Sequence, residues 1–357
     1  MYQSVSCKEY KSLVKNIFQA FGFSKKESEQ ITDVLLWADL FGVESHGISR
    51  ILKYFNLLKE GVVDVKAVPE KIFETKISSV YDAKSAMGQI IAKKAMDEAI
   101  KKAKANGIGL VEVRNSNHYG IAGYYALMAA KEELIGISMT NTVAIMVPTF
   151  SAEALLGSNP IAIAVPTEKE PFLYDGATTV ITRGKLELYK KLGKQMPFEW
   201  AVDENGEVSH DPAEVLECIS NKRGGGILPV GGAGEEQAGY KGYGYAMICE
   251  ILTSVLAGGV SSIHKKDVGD TSHCFYAVDP GIFGDKKAIK KRLTEFIKEI
   301  HAAKKAVGQT HIYVPGEKEF NRAKERKENG IPVNVKTINE LNNITKELGL
   351  EGIKNEH

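Results

Sequence analysis

Three polar clusters in this chain carry residue types that can do chemistry, and each stands beside glycine. The first is Val113 to Gly120, written VRNSNHYG. It follows GIGLVEV, an apolar run that reads as a buried strand, and precedes GIAGYYALMAAKEEL, which reads as a helix. A histidine at such a junction has two readings: it caps the helix, or it faces a cleft and moves a proton. Imidazole titrates near neutrality, which suits transfer in either direction, and a helix N-terminus disfavours its charged form. Gly120, Ala122 and Gly123 leave room for another backbone or a flat ligand to approach His118 closely.

The second cluster is ESHGISR, with Ser45, His46, Gly47 and Arg50 in a break between two helical runs. Arg50 falls in the first turn of the following helix, where the dipole favours anions over cations. A guanidinium beside free N–H groups makes sense when an anion sits between them, and it grips a carboxylate through two parallel hydrogen bonds. The plain alternative is a solvated arginine and a capping serine. The third cluster is GYKGYGYAMICEIL. Lys241, between Gly239 and Gly242 at a helix start, can hold a phosphate or substrate oxygen as a point charge, or be a solvated turn lysine.

Several familiar signatures are missing. GYKGYG has no strand in front of it, so the dinucleotide fingerprint fails, and RGGGILPVGGAG lacks phosphate-loop spacing and its Lys-Ser/Thr end. There is no GxSxG elbow and no HExxH helix. A nucleotide, if bound, is bound by other means.

The elements that must position these clusters divide into two textures. CKEYKSLVKNIFQAFG, SKKESEQITDVLLWADLFG and SRILKYFNLLKEG read as helices, the second opened by a Ser24–Glu27 capping box. From about residue 75, strand candidates (SSVYDAKS, GIGLVEVR, IGISMTNT, NPIAIAVPT, PFLYDGAT and CFYAVDP) alternate with helices such as QIIAKKAMDEAIKKAKANG, ITRGKLELYKKLG and GYAMICEILTSVLAGG. WAVDENGEVSHDP reads as a surface excursion turning at Asn205-Gly206. The chain then returns to helices, KEFNRAKERKENG and TINELNNITKELG, the last with a Thr337–Glu340 box. Two short terminal helices stand poorly alone, so they are expected to dock on the N-terminal ones. The expected fold class is α/β, a mixed sheet with a discontinuous helical domain from both chain ends: residues 1–75 and 310–357 helical, 76–309 the sheet domain.

Composition narrows the partners. The 357 residues carry 46 Lys+Arg against 45 Asp+Glu, a net charge of +1 with both signs interspersed, which argues against nucleic acid. Cys7, Cys218, Cys249 and Cys274 are far apart without a CxxC pair, arguing against disulfides and structural zinc. The N-terminus shows no apolar signal core, and YAMICEILTSVLAGG is too short and polar to span a bilayer. A cytoplasmic protein with no membrane association is expected.

Taken together, ESHGISR, RNSNHYGIAGYYALMAAKEELIGISMTNT, GSNPIAIAVPT, YDGATT, GYKGYGYAMICEIL and PGE, in that order, resemble the malate/L-lactate dehydrogenase family, whose members include L-sulfolactate, ureidoglycolate and diketogulonate dehydrogenases. The resemblance runs from about residue 5 to 330. It implies an oxidoreductase using NAD or NADP to interconvert a 2-hydroxy acid and its 2-keto acid, on a non-Rossmann, largely antiparallel mixed sheet, in a homodimer. Carried over by motif, His118 resembles the acid/base histidine, with His46 the second candidate, and Arg50 and Ser45 resemble contacts to the substrate carboxylate and oxygen. Thr142, the run Asp175, Gly176, Ala177, Thr178 and Thr179, the pair Tyr240 and Lys241, the trio His273, Cys274 and Phe275, and Pro315, Gly316 and Glu317 resemble cofactor contacts. Gly176 departs from the methionine of DMAT and Cys274 from the phenylalanine of HFF. No metal is expected. Two other readings compete: a metal-dependent hydrolase or lyase around His46 and His118, which no ligand spacing supports, and a non-catalytic binding protein on the same fold, which would have lost the charged residues retained here.

Overall fold

The computed structural model describes residues 2–266 and 268–354. The chain opens with a short strand, β1 (Tyr2–Val5), and helices α1 (Cys7–Ala20), α2 (Lys25–Phe41) and α3 (Ile51–Lys59). Strands β2 (Glu70–Glu74) and β3 (Ser78–Asp82), helix α4 (Gly88–Asn106), β4 (Ile108–Ser116), α5 (Ala122–Lys131), β5 (Ile135–Thr140), β6 (Ile161–Val165) and β7 (Phe172–Gly176) follow. Next come α6 (Arg183–Lys191), β8 (Ala201–Val202), β9 (Val208–Ser209), α7 (Pro212–Asn221), β10 (Gly226–Ile227) and α8 (Gly239–Glu250). The chain closes with β11 (Thr271–Val278), α9 (Lys286–Ala302), α10 (Glu317–Asn329), β12 (Ile331–Asn334) and α11 (Val335–Glu347).

Local sequence explains several boundaries. Ser6 accepts from Glu9 N–H to start α1, and Ser24 and Glu27 form the expected reciprocal box at the start of α2. Gly42 ends α2 with φ +82°, a conformation that glycine adopts without penalty. The C-terminal box is not used as expected. The last helix starts at Val335 with Asn334 as its cap, so Thr337 lies inside it, because β12 ends at Asn334 and that side chain accepts from Lys336 N–H. Two 3₁₀ turns, Glu44–His46 and Ile48–Arg50, fill the break before α3, placing Arg50 at the cap position rather than in the first turn.

The main sheet has seven strands in the order β2-β3-β4-β11-β5-β6-β7. Only β3 and β4 run parallel; every other neighbouring pair is antiparallel. Helices α4 and α5 cover one face, and α8 with the π turn Ile251–Val255 covers β11 and β5 on the other. The central strands are thus covered on both sides, and His273, Cys274 and Phe275 on β11 are all fully buried.

The two chain ends meet. β1 pairs antiparallel with β12, α10 packs on α2 and α11 on α3. The apolar core that joins these helices continues without a break into α4, α5 and the sheet. A small three-stranded sheet, β10-β8-β9, with α6 and α7 around Leu186, Val215 and Ile227, makes a satellite with its own core. The Asn205-Gly206 excursion is the tip of the β8–β9 hairpin, with Gly206 at φ +84°.

Candidate active site

The site is built where the break between α2 and α3 meets the end of β4. Asp39, buried on α2, accepts the Tyr10 hydroxyl and Ile48 N–H on one oxygen, each at 2.6 Å. This clamps the loop carrying Ser45, His46 and Arg50. Gly47 packs so tightly on the Asp39 carboxylate that a Cβ would overlap it. Burial is the main reason the Asp39 pKa is pushed up to about 7, against opposing hydrogen bonds from Tyr10 and Ile48. Arg326, from α10, donates to the Asp39 carbonyl at 2.6 Å and to Glu44 at 2.8 Å, so the C-terminal helices brace the same loop. Within it, Ser45 Oγ lies 2.9 Å from His46 Nδ1 and Arg50 Nε donates to the Ser45 carbonyl at 2.5 Å.

The polar run that ends β4 and follows it is mostly anchorage. Arg114 and Asn115 bind Asp82 at 3.2 and 2.8 Å, and Asn117 donates to the Ser85 and Ala86 carbonyls. Tyr119 is buried and stacks on His273 with ring centres 4.4 Å apart. His118 lines a cavity together with its neighbours Asn117, Tyr119 and Gly120. Its Nδ1 lies 2.6 Å from the Tyr54 hydroxyl, which accepts from Gln89 at 2.8 Å. Tyr54 therefore keeps its own proton and a lone pair for the imidazole, and can serve Nδ1 as donor or acceptor. The His46 ring centre is 5.3 Å from that of His118.

Both imidazoles sit in a positive field. Burial pushes His46 down to about 3, with Arg50 and Lys53 adding to the effect. Burial, His46, Arg50 and Lys53 together hold His118 well below the usual imidazole range. Arg50 is half-buried and is not in the wall of either cavity described next, yet its charge is felt at both histidines and at Tyr54.

Two cavities meet at these rings. The smaller, about 150 Å³, is lined by His46, His118, Thr142, Lys53 and Lys265 among others. Lys265 is buried and donates to the Gly269 carbonyl and Thr271, and burial lowers its pKa to about 8. The larger, about 450 Å³, runs from His46 past the N-terminus of α5 to Asp175, Gly176, Ala177, Pro315 and Gly316. His46, Gly120, Ser158 and Pro160 belong to both walls. Asp175 accepts Gly123 N–H at 2.7 Å, and burial raises its pKa to about 6. A Cβ on Gly123 would press on that carboxylate at 2.8 Å, and Gly316 (φ +97°) lies against Leu173, so backbone forms much of this groove. A flat ligand finds a fitting cradle there.

The same architecture occurs in known proteins of related sequence. Residues 5–342 match the model of the malate/L-lactate dehydrogenase family. The chain belongs to that family. It is 39% identical to a malate dehydrogenase of Pyrococcus abyssi over 99% of this chain and 97% of the relative. Identity to an L-sulfolactate dehydrogenase of Methanocaldococcus jannaschii is 38%, over 95% and 96%. The crystal structure of malate dehydrogenase from Entamoeba histolytica superposes with a TM-score of 0.94 at 32% identity, over 98% of this chain and 99% of that one.

The structure gathers some of the residues suggested by family motifs and disperses others. His46, His118, Thr142, Asp175, Gly176, Ala177, Pro315 and Gly316 line the joined cavities. Ser45 and Arg50 stand just behind His46. Thr178 and Thr179 are buried beneath the groove, Thr178 bonded to the Ser158 carbonyl. His273, Cys274 and Phe275 lie in the sheet core, His273 fixed between Thr140 and Ser116 at 2.7 and 3.0 Å. Tyr240 and Lys241 are exposed at the start of α8, away from both cavities. Glu317 turns away from the groove toward His301 and His311.

Sequence reading missed Tyr54, Gln89, Asp39, Lys53, Lys265, Glu250 and Glu319. Tyr54 had a signal, since it follows Arg50 by four residues and shares its helix face. Gln89 and Lys265 come from distant segments with no local mark. Glu250 is a buried carboxylate holding the far wall together. It accepts from Asn141, Asn159, Ser254 and Ser262 at 2.5–3.1 Å, and Asn159 in turn accepts Thr142 N–H at 3.0 Å. Burial raises the Glu250 pKa, but the hydrogen bonds outweigh it and leave a net lowering.

Proposed function

We propose that the protein is an NAD-dependent oxidoreductase that interconverts a 2-hydroxy acid and its 2-keto acid, with His118 as the acid/base. One observation carries the reading: His118, held at Nδ1 by an amphoteric tyrosine, faces a small cationic cavity that opens into a larger groove walled by backbone. Membership of the malate/L-lactate dehydrogenase family supports the reaction class. The non-Rossmann cofactor domain is part of the proposal, supported by the largely antiparallel sheet.

The groove would hold the cofactor through Asp175, Gly176, Ala177, Pro315 and Gly316. When bound, a nicotinamide supplies or takes up the hydride. The charged groups lining the groove are Asp175 and Glu319, acceptors suited to ribose hydroxyls and poorly suited to an added phosphate, which favours NAD over NADP.

The smaller cavity orients the acid. Lys53 and Lys265 line it and favour an acid with a second anionic group, while Arg50, set back from the wall, would turn its free guanidinium nitrogens to the shared carboxylate when the substrate binds. Entry of that anion offsets the positive field on His118, so the ring can take up a proton and deliver it to the C2 oxygen during reduction. In oxidation the neutral ring removes the hydroxyl proton, with Tyr54 accepting from Nδ1. Such proton transfer is worth about 10²–10⁴ in rate.

The proposed assembly is a homodimer. Tyr245, Ile248, Ile251 and Val255 form an exposed apolar stripe along α8 and its π turn, a surface a second copy would cover. No helix among the described residues is long and apolar enough to cross a membrane. Cys7, Cys218, Cys249 and Cys274 are free thiols, in keeping with the proposed cytoplasmic setting.

The test is a panel of 2-keto acids with NADH and NADPH, followed by loss of reduced-nicotinamide absorbance. Turnover with NADH, faster for C4 dianions than for pyruvate, supports the reading. Absence of turnover across the panel with both cofactors removes it.

A further inference from the structure

Pro315 belongs to the wall of the groove and also to that of a separate cavity on its other side, about 290 Å³, formed by α9, α10, the segment joining them and the turn between β6 and β7. At its rim His301, one residue before the end of α9, His311 in the connection and Glu317 at the start of α10 converge. Glu317 turns one oxygen to each ring: Oε1 lies 2.6 Å from His301 Nε2 and Oε2 lies 3.4 Å from His311 Nε2. One donor atom from each of the three residues lies within 4.8 Å of the other two.

The short approach of His301 to Glu317 is not aligned as a hydrogen bond. The His301 Nε2 is buried and makes no hydrogen bond of normal geometry, although a Glu317 oxygen lies 2.6 Å away. A buried polar atom left in this state calls for an occupant. Two imidazole nitrogens and a carboxylate suit zinc and exclude the all-oxygen sites of calcium and magnesium. With bonds of about 2.0–2.1 Å, tetrahedral zinc spaces its ligand atoms about 3.3 Å apart; the His311 pair at 3.4 Å matches this, and the His301 pair at 2.6 Å must open on binding. The adjoining cavity leaves room for a fourth ligand. Lys169, Lys298 and an ion-paired Lys324 and Glu170 border it, a polar setting that suits water in that position.

We propose that His301, His311 and Glu317 form a zinc site, separate from the catalytic rings. The three ligands span a single segment, so the metal closes the loop from Ala303 to Gly316. That loop delivers Pro315 and Gly316 to Leu173: the Leu173 N–H meets the Pro315 carbonyl at 3.4 Å, and a Cβ on Gly316 would press on the Leu173 backbone. Zinc therefore fastens one wall of the groove from behind. The expectation that the chain has no metal site rested on spacing within known motifs, and a histidine pair ten residues apart with a glutamate six further on matches none of these.

The experiment uses the full chain, stripped with chelator and titrated with Zn²⁺ by calorimetry, with thermal melts alongside. The expected result is one zinc per chain, a raised melting temperature, and at least about thirty-fold weaker binding in His301→Gln and in His311→Gln, with the thermal shift lost. Circular dichroism checks that each variant is folded, and Glu317→Gln replaces either one that is not. No stoichiometric binding by the parent chain, or variants that bind zinc within about threefold of it, overturns the proposal.

Discussion

The Tyr54 hydroxyl lies 2.6 Å from Nδ1 of His118 and is itself held by Gln89. A buried imidazole that must switch between charged and neutral forms needs a partner able to accept as well as donate, and phenol is such a partner. In Tyr54→Phe the protonated ring loses its acceptor, so its pKa in the substrate complex falls. For keto-acid reduction, which uses the protonated form, the alkaline limb of kcat should move to lower pH and kcat should drop about tenfold or more. A pH profile of kcat checks this; an unmoved limb would remove Tyr54 from the proton path.

Arg50 tests the substrate side. Its charge depresses both histidines, and its Nε is tied to the Ser45 carbonyl, so the rest of the guanidinium is presented in a fixed orientation. A hydrogen-bonded charge contact is worth about 1.5–3 kcal/mol, so Arg50→Gln should raise KM for the keto acid about ten- to hundredfold. Arg50→Lys should not restore it, because an ammonium cannot reproduce the fork. Steady-state kinetics with NADH saturating reads both variants.

Asp39 gives a pH-dependent stability prediction. Its folded pKa, about 7, lies above the ordinary carboxyl value. A raised carboxyl pKa contributes stability that is complete below the unfolded value near 4 and lost as pH rises through about 7. Asp39→Asn cannot ionise, yet its amide can still accept from Ile48 N–H. Its stability relative to the parent chain should therefore climb by about 1.4 kcal/mol per pH unit between pH 5 and 7 and level off above. Urea melts at pH 5, 6, 7 and 8 measure the difference; a difference independent of pH contradicts the assignment.

Glu250 is the structural counterpart on the far wall. Glu250→Gln turns an acceptor of several hydrogen bonds into a group with one acceptor oxygen, and its amide faces donors. A loss of about 3 kcal/mol or more is expected, read by denaturant melts at pH 7, with a raised KM for the keto acid because Asn159 no longer fixes Thr142 in the wall of the smaller cavity. Stability changed by less than about 1 kcal/mol would show the network to be dispensable.

Much of this architecture was legible from local signals. The Ser24–Glu27 box, Gly42, the alternation of strands with the α4 and α5 runs, and the strand–His118–helix junction all depend on neighbours within a few residues. What was illegible depends on distant partners. The β1–β12 pair joins four-residue strands from opposite ends of the chain, which no periodicity marks. Asn334 displaced Thr337 as a cap because a strand ends there. His273 and Phe275 share one face of β11 and Cys274 points to the other, but helices cover both faces, so motif position alone could not say that all three are core. Tyr54 and Gln89 reach His118 from α3 and α4, a meeting fixed only by tertiary packing.

The most direct test of the central claim compares the parent chain with His118→Asn in keto-acid reduction, alongside NADH affinity measured by fluorescence. The predicted result is a kcat lower by about 10²–10⁴ with cofactor affinity within about threefold. A His118→Asn enzyme that turns over at near the parental rate would contradict the account.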